Sequence, residues 1–223
     1  MSRIRGGAAA DLLSGIDAAA EHERIAPGAV LMRGFARTEI EALAAAIEAI
    51  ARDAPFRHMI TPGGFRMSVA MTNCGRAGWI TDRRGYRYDE KDPLTDRPWP
   101  ALPEIFRLLA ARAAAAPGFA DFAPDACLVN RYEPGARLTL HQDRNERDFA
   151  QPIVSVSLGL PATFLFGGLE RSERPKRYAL RSGDVAVWGG PARLAFHGVD
   201  KLAEGADVVF GPYRYNLTLR RAL

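Results

Sequence analysis

The chain has 223 residues, no linker-like change of composition and 48% hydrophobic residues, enough to bury one sizeable core. Its formal charge of +4 favours a polyanionic partner only mildly. Cys74 and Cys127, with no cationic-then-apolar leader and no apolar run that could span a bilayer, read as free thiols of a cytoplasmic monomer, which excludes a disulfide scaffold and a membrane protein.

Residues 1–28 are rich in Ala and Gly, with a weak helical pattern at Leu12, Leu13 and Ile16, and are expected to be partly disordered. Thr38 and Glu41 form a capping-box pattern ahead of Ile40, Leu43, Ile47 and Ile50, whose spacing predicts an amphipathic helix ending near Asp53. A second helix is predicted from Pro103, carrying Ile105, Phe106, Leu108 and Leu109, and stopping at Pro117-Gly118. Between the helices, residues 62–100 mix Gly, Pro, aromatics and both charges. Strand character is confined to Met67–Thr72, so this stretch reads as a lid.

From Cys127 the texture changes to short strands separated by turns: 127–132, 138–142, 153–160, 163–166, 177–180, 185–188, 193–196 and 215–220. Such a series predicts an antiparallel sandwich or jelly roll over residues 127–223, within one α+β domain spanning residues 1–223.

Strand periodicity puts Arg137, Thr139, His141 and Asp143 on one face, so His141 and Asp143 can hold one ion together. His197, at the end of the predicted strand 193–196 and before Gly198, is the candidate third ligand. Two histidines and a carboxylate are the donor set that leaves iron(II) with open positions for oxygen chemistry. A histidine-any-aspartate triplet also arises by accident, and His22 and His58, which lack partners at ligand spacing, read as surface or structural residues. What strengthens the signal is Arg214, Asn216, Thr218 and Arg220 on one face of a strand, with Leu217 and Leu219 opposite. Two inward guanidinium groups call for an anion, whereas an edge strand with solvated arginines is the bland alternative. Asn130 and Tyr132 alternate on a neighbouring strand and can offer an amide and a phenol to the same acid.

These blocks, Asn130-Arg131-Tyr132, His141-Gln142-Asp143, Pro152 to Gly159, Phe166-Gly167-Gly168, Gly183-Asp184-Val185, Trp188-Gly189-Gly190, His197-Gly198 and Arg214 to Arg220, resemble the bacterial AlkB-type iron(II) and 2-oxoglutarate dependent dioxygenases. The resemblance runs from about Gly63 to the end and takes in Met67 to Gly75. It implies a double-stranded β-helix with His141, Asp143 and His197 as iron ligands. Arg214 and Tyr132 would grip the distal carboxylate of 2-oxoglutarate, Asn130 and Arg220 would lie near its chelating end, and Asn216 would support the pocket. Oxygen is the second co-substrate. The activity implied is oxidative demethylation of bases such as 1-methyladenine and 3-methylcytosine in single- or double-stranded DNA, with RNA also open, releasing formaldehyde, succinate and carbon dioxide. Two alternatives stand: a nucleic-acid binding module with a structural metal, or an oxygenase acting on RNA, protein or a small molecule.

The same resemblance assigns base stacking to Trp79, which the residues alone would make a core anchor, and substrate contacts to Met71, Tyr86, Arg87 and Tyr88. Arg171 matches a family arginine at the nucleotide pocket. Arg174, Lys176, Arg177 and Arg181 read equally as phosphate contacts or a solvated run, and Trp188 as core. One departure stands out: Asn145 occupies a position where the family pattern has an acidic, base-contacting residue. Lesion preference is therefore expected to differ, with Glu146 or a neutral etheno-type adduct gaining importance, and Asn145→Asp is expected to shift activity toward 1-methyladenine or 3-methylcytosine.

Overall fold

The computed structural model describes residues 22–223. In chain order, β1 (His22–Ala26) and β2 (Ala29–Met32) lead into α1 (Ile40–Asp53), and β3 (Arg57–Ile60) and β4 (Arg66–Gly75) follow. Next come β5 (Gly78–Asp82), β6 (Gly85–Asp89), β7 (Lys91–Asp92), β8 (Arg97–Pro98) and α2 (Glu104–Ala115). The remainder is strand: β9 (Ala126–Tyr132), β10 (Leu138–His141), β11 (Ile153–Gly159), β12 (Ala162–Phe166), β13 (Lys176–Leu180), β14 (Val185–Trp188), β15 (His197–Val199) and β16 (Arg214–Arg220). An eight-stranded sheet runs β1-β2-β14-β11-β16-β9-β4-β3, and a four-stranded sheet runs β10-β15-β12-β13. Every pairing between these strands is antiparallel, which gives the expected two-sheet jelly roll.

The large sheet is buried on both faces, and the period of two along each strand divides the labour. Val154, Val156 and Leu158 of β11, Val185 and Val187 of β14, and Leu217 and Leu219 of β16 pack against Leu43, Ile47 and Ile50 of α1 and Phe106 and Leu109 of α2. Burying each such side chain contributes about 1.5–3 kcal/mol. The alternate residues Asn130, Ser155, Trp188, Arg214, Asn216, Thr218 and Arg220 face the small sheet and line the cavity between the two. One face therefore holds the fold together while the other is free for chemistry.

Several expectations are corrected. β1 covers residues 22–26, within the stretch expected to be partly disordered, because β2 beside it extends the large sheet through β14; Leu12, Leu13 and Ile16 lie outside the described residues. The Thr38 capping box does not form. A 3-10 turn over Arg37–Glu39 precedes α1, and Glu39 N–H bonds the Ala36 carbonyl at 3.1 Å, so backbone supplies the partner. The lid carries four strands beyond β4, since β5 pairs with β6 and β7 with β8. Residues 193–196 form no strand. A 3-10 turn over Gly190–Ala192 leads into them, and the ladder begins only at His197. Cys74 and Cys127 are buried free thiols opposite each other on β4 and β9.

Candidate active site

His141 ends β10, His197 begins β15, and the two are cross-strand partners. A Cβ on Gly198 would lie 2.6 Å from the Leu138 carbonyl oxygen, so only glycine lets these strands approach this closely. The two imidazole rings are consequently 4.4 Å apart. Asp143, two residues past His141, places Oδ1 3.7 Å from His141 Nε2 and Oδ2 3.6 Å from His197 Nε2. One ion can bridge three donors so spaced at bonds of about 2 Å.

The orientation of the rings suits a metal. His141 Nδ1 is 2.9 Å from the Thr139 carbonyl and His197 Nδ1 is 3.0 Å from that of Ala195. Carbonyls only accept, so each Nδ1 carries a proton and Nε2 is the ring atom left to face a metal. Burial, helped by His197, depresses the His141 imidazolium to about 4. Burial alone would raise the Asp143 carboxyl, but Arg220 and the two histidines outweigh it and hold the group well below the usual carboxylate range.

Behind the triad lies a buried charged network. Arg220 donates to Asp143 Oδ2 through Nη2 at 2.6 Å and Nε at 3.0 Å. Glu146 pairs with Arg193 at 3.0 Å and accepts from the Tyr88 hydroxyl at 2.7 Å. Arg193 also donates to the carbonyls of Asp143 at 2.8 Å and Gln151 at 2.9 Å, which fixes the loop that carries the carboxylate. Gln142 ties the same loop to Leu194 at 2.7 Å. These bonds explain why 193–196 leaves the ladder: its side chain and backbone groups brace the triad. Arg193 carried no sequence signal, because an arginine in an apolar run reads as a strand residue facing solvent.

A second polar centre lies across the cavity. Arg214 is fully buried; Nη2 donates to Ser157 Oγ at 3.0 Å, while Nε and Nη1 have no partner among the described residues. Burial lowers its pKa. The guanidinium sits 5.9 Å from the Tyr132 ring, and burial pushes the Tyr132 phenol up to about 12, so that phenol remains a donor. Such an edge is costly unless it meets an anion. Asn216 donates to Ser155 Oγ at 2.7 Å and the Val156 carbonyl at 3.1 Å, and accepts from Asn130 at 3.3 Å and Thr218 at 2.8 Å. Ser155 and Ser157, absent from the expected set, betray themselves by alternating with Val154, Val156 and Leu158 on one strand.

The cavity holding both centres has a volume of about 550 Å³. The hairpin β5–β6 lines its mouth: Trp79 and Tyr86 stack with ring centroids 5.7 Å apart, and buried Met71 sits on the wall. Arg171 lines it too, anchored by one bond to the Leu140 carbonyl at 2.8 Å. Two expected substrate residues turn elsewhere. Arg87 is paired with Asp82 at 2.9 Å on the hairpin surface, because β5 and β6 set their side chains together. Tyr88, on the same strand face as Tyr86 and opposite Trp79, donates to Glu146 at 2.7 Å and lies 3.2 Å from Arg220, which draw its hydroxyl into the network behind the triad. Glu146, considered as a lesion contact, has a side chain 1% exposed and is consumed by that network. Asn145 Oδ1 accepts from Trp79 Nε1 at 3.0 Å. In the basic cluster, Arg177 pairs with Asp200. Trp188 is core as expected, yet its ring also packs 4.8 Å from His197.

Residues 28–220 match the 2OG-Fe(II) oxygenase superfamily. The alpha-ketoglutarate-dependent dioxygenases AlkB of Salmonella typhimurium and Escherichia coli are each 55% identical over 206 residues, covering 92% of this chain and 95% of theirs. The chain belongs to the AlkB-type 2-oxoglutarate and iron(II) dependent dioxygenases. A solved structure titled OsALKBH1 superposes with a TM-score of 0.80 at 28% identity, covering 90% of this chain and all of that one. An AlkB-type dioxygenase requires iron(II), 2-oxoglutarate and oxygen, and the donor set here fits that requirement: two imidazoles, an ionised carboxylate and, in the same cavity, an unsatisfied buried guanidinium edge.

Proposed function

We propose that the chain is an oxidative dealkylase that removes N-alkyl groups from bases such as 1-methyladenine and 3-methylcytosine in DNA, and in RNA as a second polymer. The observation that carries this reading is the unpartnered edge of Arg214 in the cavity that also holds the triad and the stacked Trp79–Tyr86 pair. His141, Asp143 and His197 would hold iron(II), which, with 2-oxoglutarate and oxygen, supplies the oxidising power to hydroxylate an N-methyl group.

This chain's residues do the positioning. Arg214 offers a two-pronged donor to the far carboxylate of 2-oxoglutarate, and the Tyr132 phenol adds a third. Asn130 and Asn216, locked by Ser155 and Thr218, fix the polar wall along the keto acid. Arg220 holds Asp143 ionised and aimed at the ion. Trp79 supplies a flat face for an extruded base, and an alkylated pairing edge lowers the cost of extrusion. The hydroxylated methyl group then leaves as formaldehyde. No helix among the described residues is long and apolar enough to cross a membrane, and the free thiols Cys74 and Cys127 suit a reducing, cytoplasmic setting.

The test is to load the protein anaerobically with iron(II) and 2-oxoglutarate, then add air and a methylated oligonucleotide. Formaldehyde and succinate in equal amounts are expected. Succinate that does not respond to the oligonucleotide, with no formaldehyde, would refute the reading.

A further inference from the structure

We propose that Asn73 is a positioning residue of the base site: its side-chain amide takes the place of a neighbouring strand, grips the backbone of Trp79 and sets where the indole meets an extruded base. The inference rests on the dealkylase reading above, in which Trp79 supplies the stacking face.

The residues between the two bring them together. β4 ends at Gly75, where φ is +113° and a Cβ would lie 2.3 Å from the Asp125 carbonyl oxygen, so only glycine fits. At Gly78 a Cβ would lie 2.4 Å from the Trp99 ring and 2.8 Å from the Asn73 Cβ. These two glycines let the chain double back, and Trp79 returns to Asn73. β5 and β6 nevertheless form a two-stranded sheet of their own, and no backbone–backbone bond joins them to the large sheet among the described residues.

Asn73 fills that gap. Its side chain is fully buried, Oδ1 accepts from the Trp79 N–H at 3.0 Å, and Nδ2 donates to the Trp79 carbonyl at 3.0 Å. An N–H only donates and a carbonyl only accepts, so the amide has one orientation, and its two ends copy the acceptor and donor of a strand backbone. Met71, two residues earlier on the same face of β4, lines the cavity, as does Leu128, the cross-strand partner of Asn73. Trp79 is therefore held from the cavity wall itself. The other bond from β5 to the large sheet among the described residues is a longer one, from the Thr81 hydroxyl to the Ile60 carbonyl at 3.3 Å. Without the amide, the Trp79 N–H and carbonyl are left unpaired beside a buried position, and the hairpin has to shift to satisfy them, which carries the indole away from its place at the mouth. Asn73→Asp keeps the size and the acceptor but sets a second oxygen against the Trp79 carbonyl.

The experiment is a double-mutant cycle with one oligonucleotide carrying 1-methyladenine, measured for wild type, Asn73→Asp, Trp79→Ala and the double variant. Each single change should lower kcat/KM at least about fivefold, mainly through KM, as the loss of one base–aromatic stack does. The double variant should fall within a factor of about two of the weaker single variant, because no indole remains for Asn73 to place. Losses that multiply, to about 25-fold or more, overturn the inference and leave dealkylation intact, since Asn73 would then act through something other than Trp79. An unchanged KM in Asn73→Asp overturns it as well. The rise in melting temperature on adding 2-oxoglutarate should survive in Asn73→Asp; its loss would mark damage to the whole fold and overturn a role confined to the base site. If Asn73→Asp does not fold, Asn73→Ala, which introduces no charge, runs the same cycle with the same expected outcomes. Absence of formaldehyde from the wild type overturns the dealkylase reading, and the inference with it.

Discussion

Arg214→Met separates a binding residue from a structural one. In the ligand-free protein this guanidinium is fully buried, makes one hydrogen bond at 3.0 Å and leaves Nε and Nη1 unpaired. A buried charge without a partner destabilises the fold that holds it, and a methionine of similar length keeps contact with the Tyr132 ring. Ligand-free Arg214→Met should therefore melt at or above the wild-type temperature. Binding should suffer: losing one member of a buried charge pair costs about 2–5 kcal/mol, or at least roughly 30-fold in affinity for 2-oxoglutarate. At a ligand concentration a hundred times its dissociation constant, the wild type gains about 2.7 kcal/mol, a rise of roughly 5–11 °C for a domain of this size. The variant should show at most about a third of it. Arg214→Lys should fall between, because a point charge cannot grip a carboxylate with two prongs. The assay is a thermal melt of the anaerobic, iron-loaded protein with and without 2-oxoglutarate. A variant that keeps the full ligand-induced shift, or that loses many degrees without ligand, would refute the reasoning.

Three further outcomes follow from the network behind the triad. Arg193→Met strips Glu146 of a 3.0 Å partner and releases the Asp143 and Gln151 carbonyls, so urea unfolding should show a loss of about 3–5 kcal/mol; a loss under 1 kcal/mol would mean that the network is not coupled to the fold. Tyr88→Phe removes the hydroxyl between Glu146 and Arg220 and should cost about 1–3 kcal/mol while loosening β6, read by urea unfolding and by faster amide exchange in the hairpin; unchanged exchange would contradict the assignment. In the metal-free protein His141 should stay neutral on acidification to about pH 4, seen as a midpoint there in a nitrogen-detected NMR titration. Its folded value lies below the ordinary 6.5, so its contribution to stability is complete above about 6.5 and is lost as pH falls through about 4. A midpoint near 6.5 would show that the ring is open to water.

How far the sequence carried depends on the kind of force involved. The two helices were legible because Leu43, Ile47 and Ile50 repeat at helical spacing and do pack on the sheet. The inward face of β16 was legible because Arg214, Asn216, Thr218 and Arg220 alternate with Leu217 and Leu219, and strand parity survives any twist of the sheet. β1 and β2 were not, since five residues such as His22–Ala26 become a strand only because β14 offers β2 an edge to pair with. His197 was found with its strand on the wrong side: the apolar run before it looks extended, but Arg193 is drawn into long-range bonds with Glu146 and Asp143 that no local pattern encodes. The partners of Tyr88 and Arg87 were invisible for the same reason, since Tyr88 meets Glu146 58 residues away and Arg87 a cross-hairpin aspartate.

The chemistry of the site depends on three side chains sharing one ion beside a dicarboxylic acid. Anaerobic titration with iron(II) in the presence of 2-oxoglutarate, with bound metal counted per chain, addresses this most directly. Wild type should take up one iron, and His141→Ala, Asp143→Ala and His197→Ala, each folded by circular dichroism, should bind at least about tenfold more weakly. Full occupancy with wild-type affinity in any of the three would contradict it.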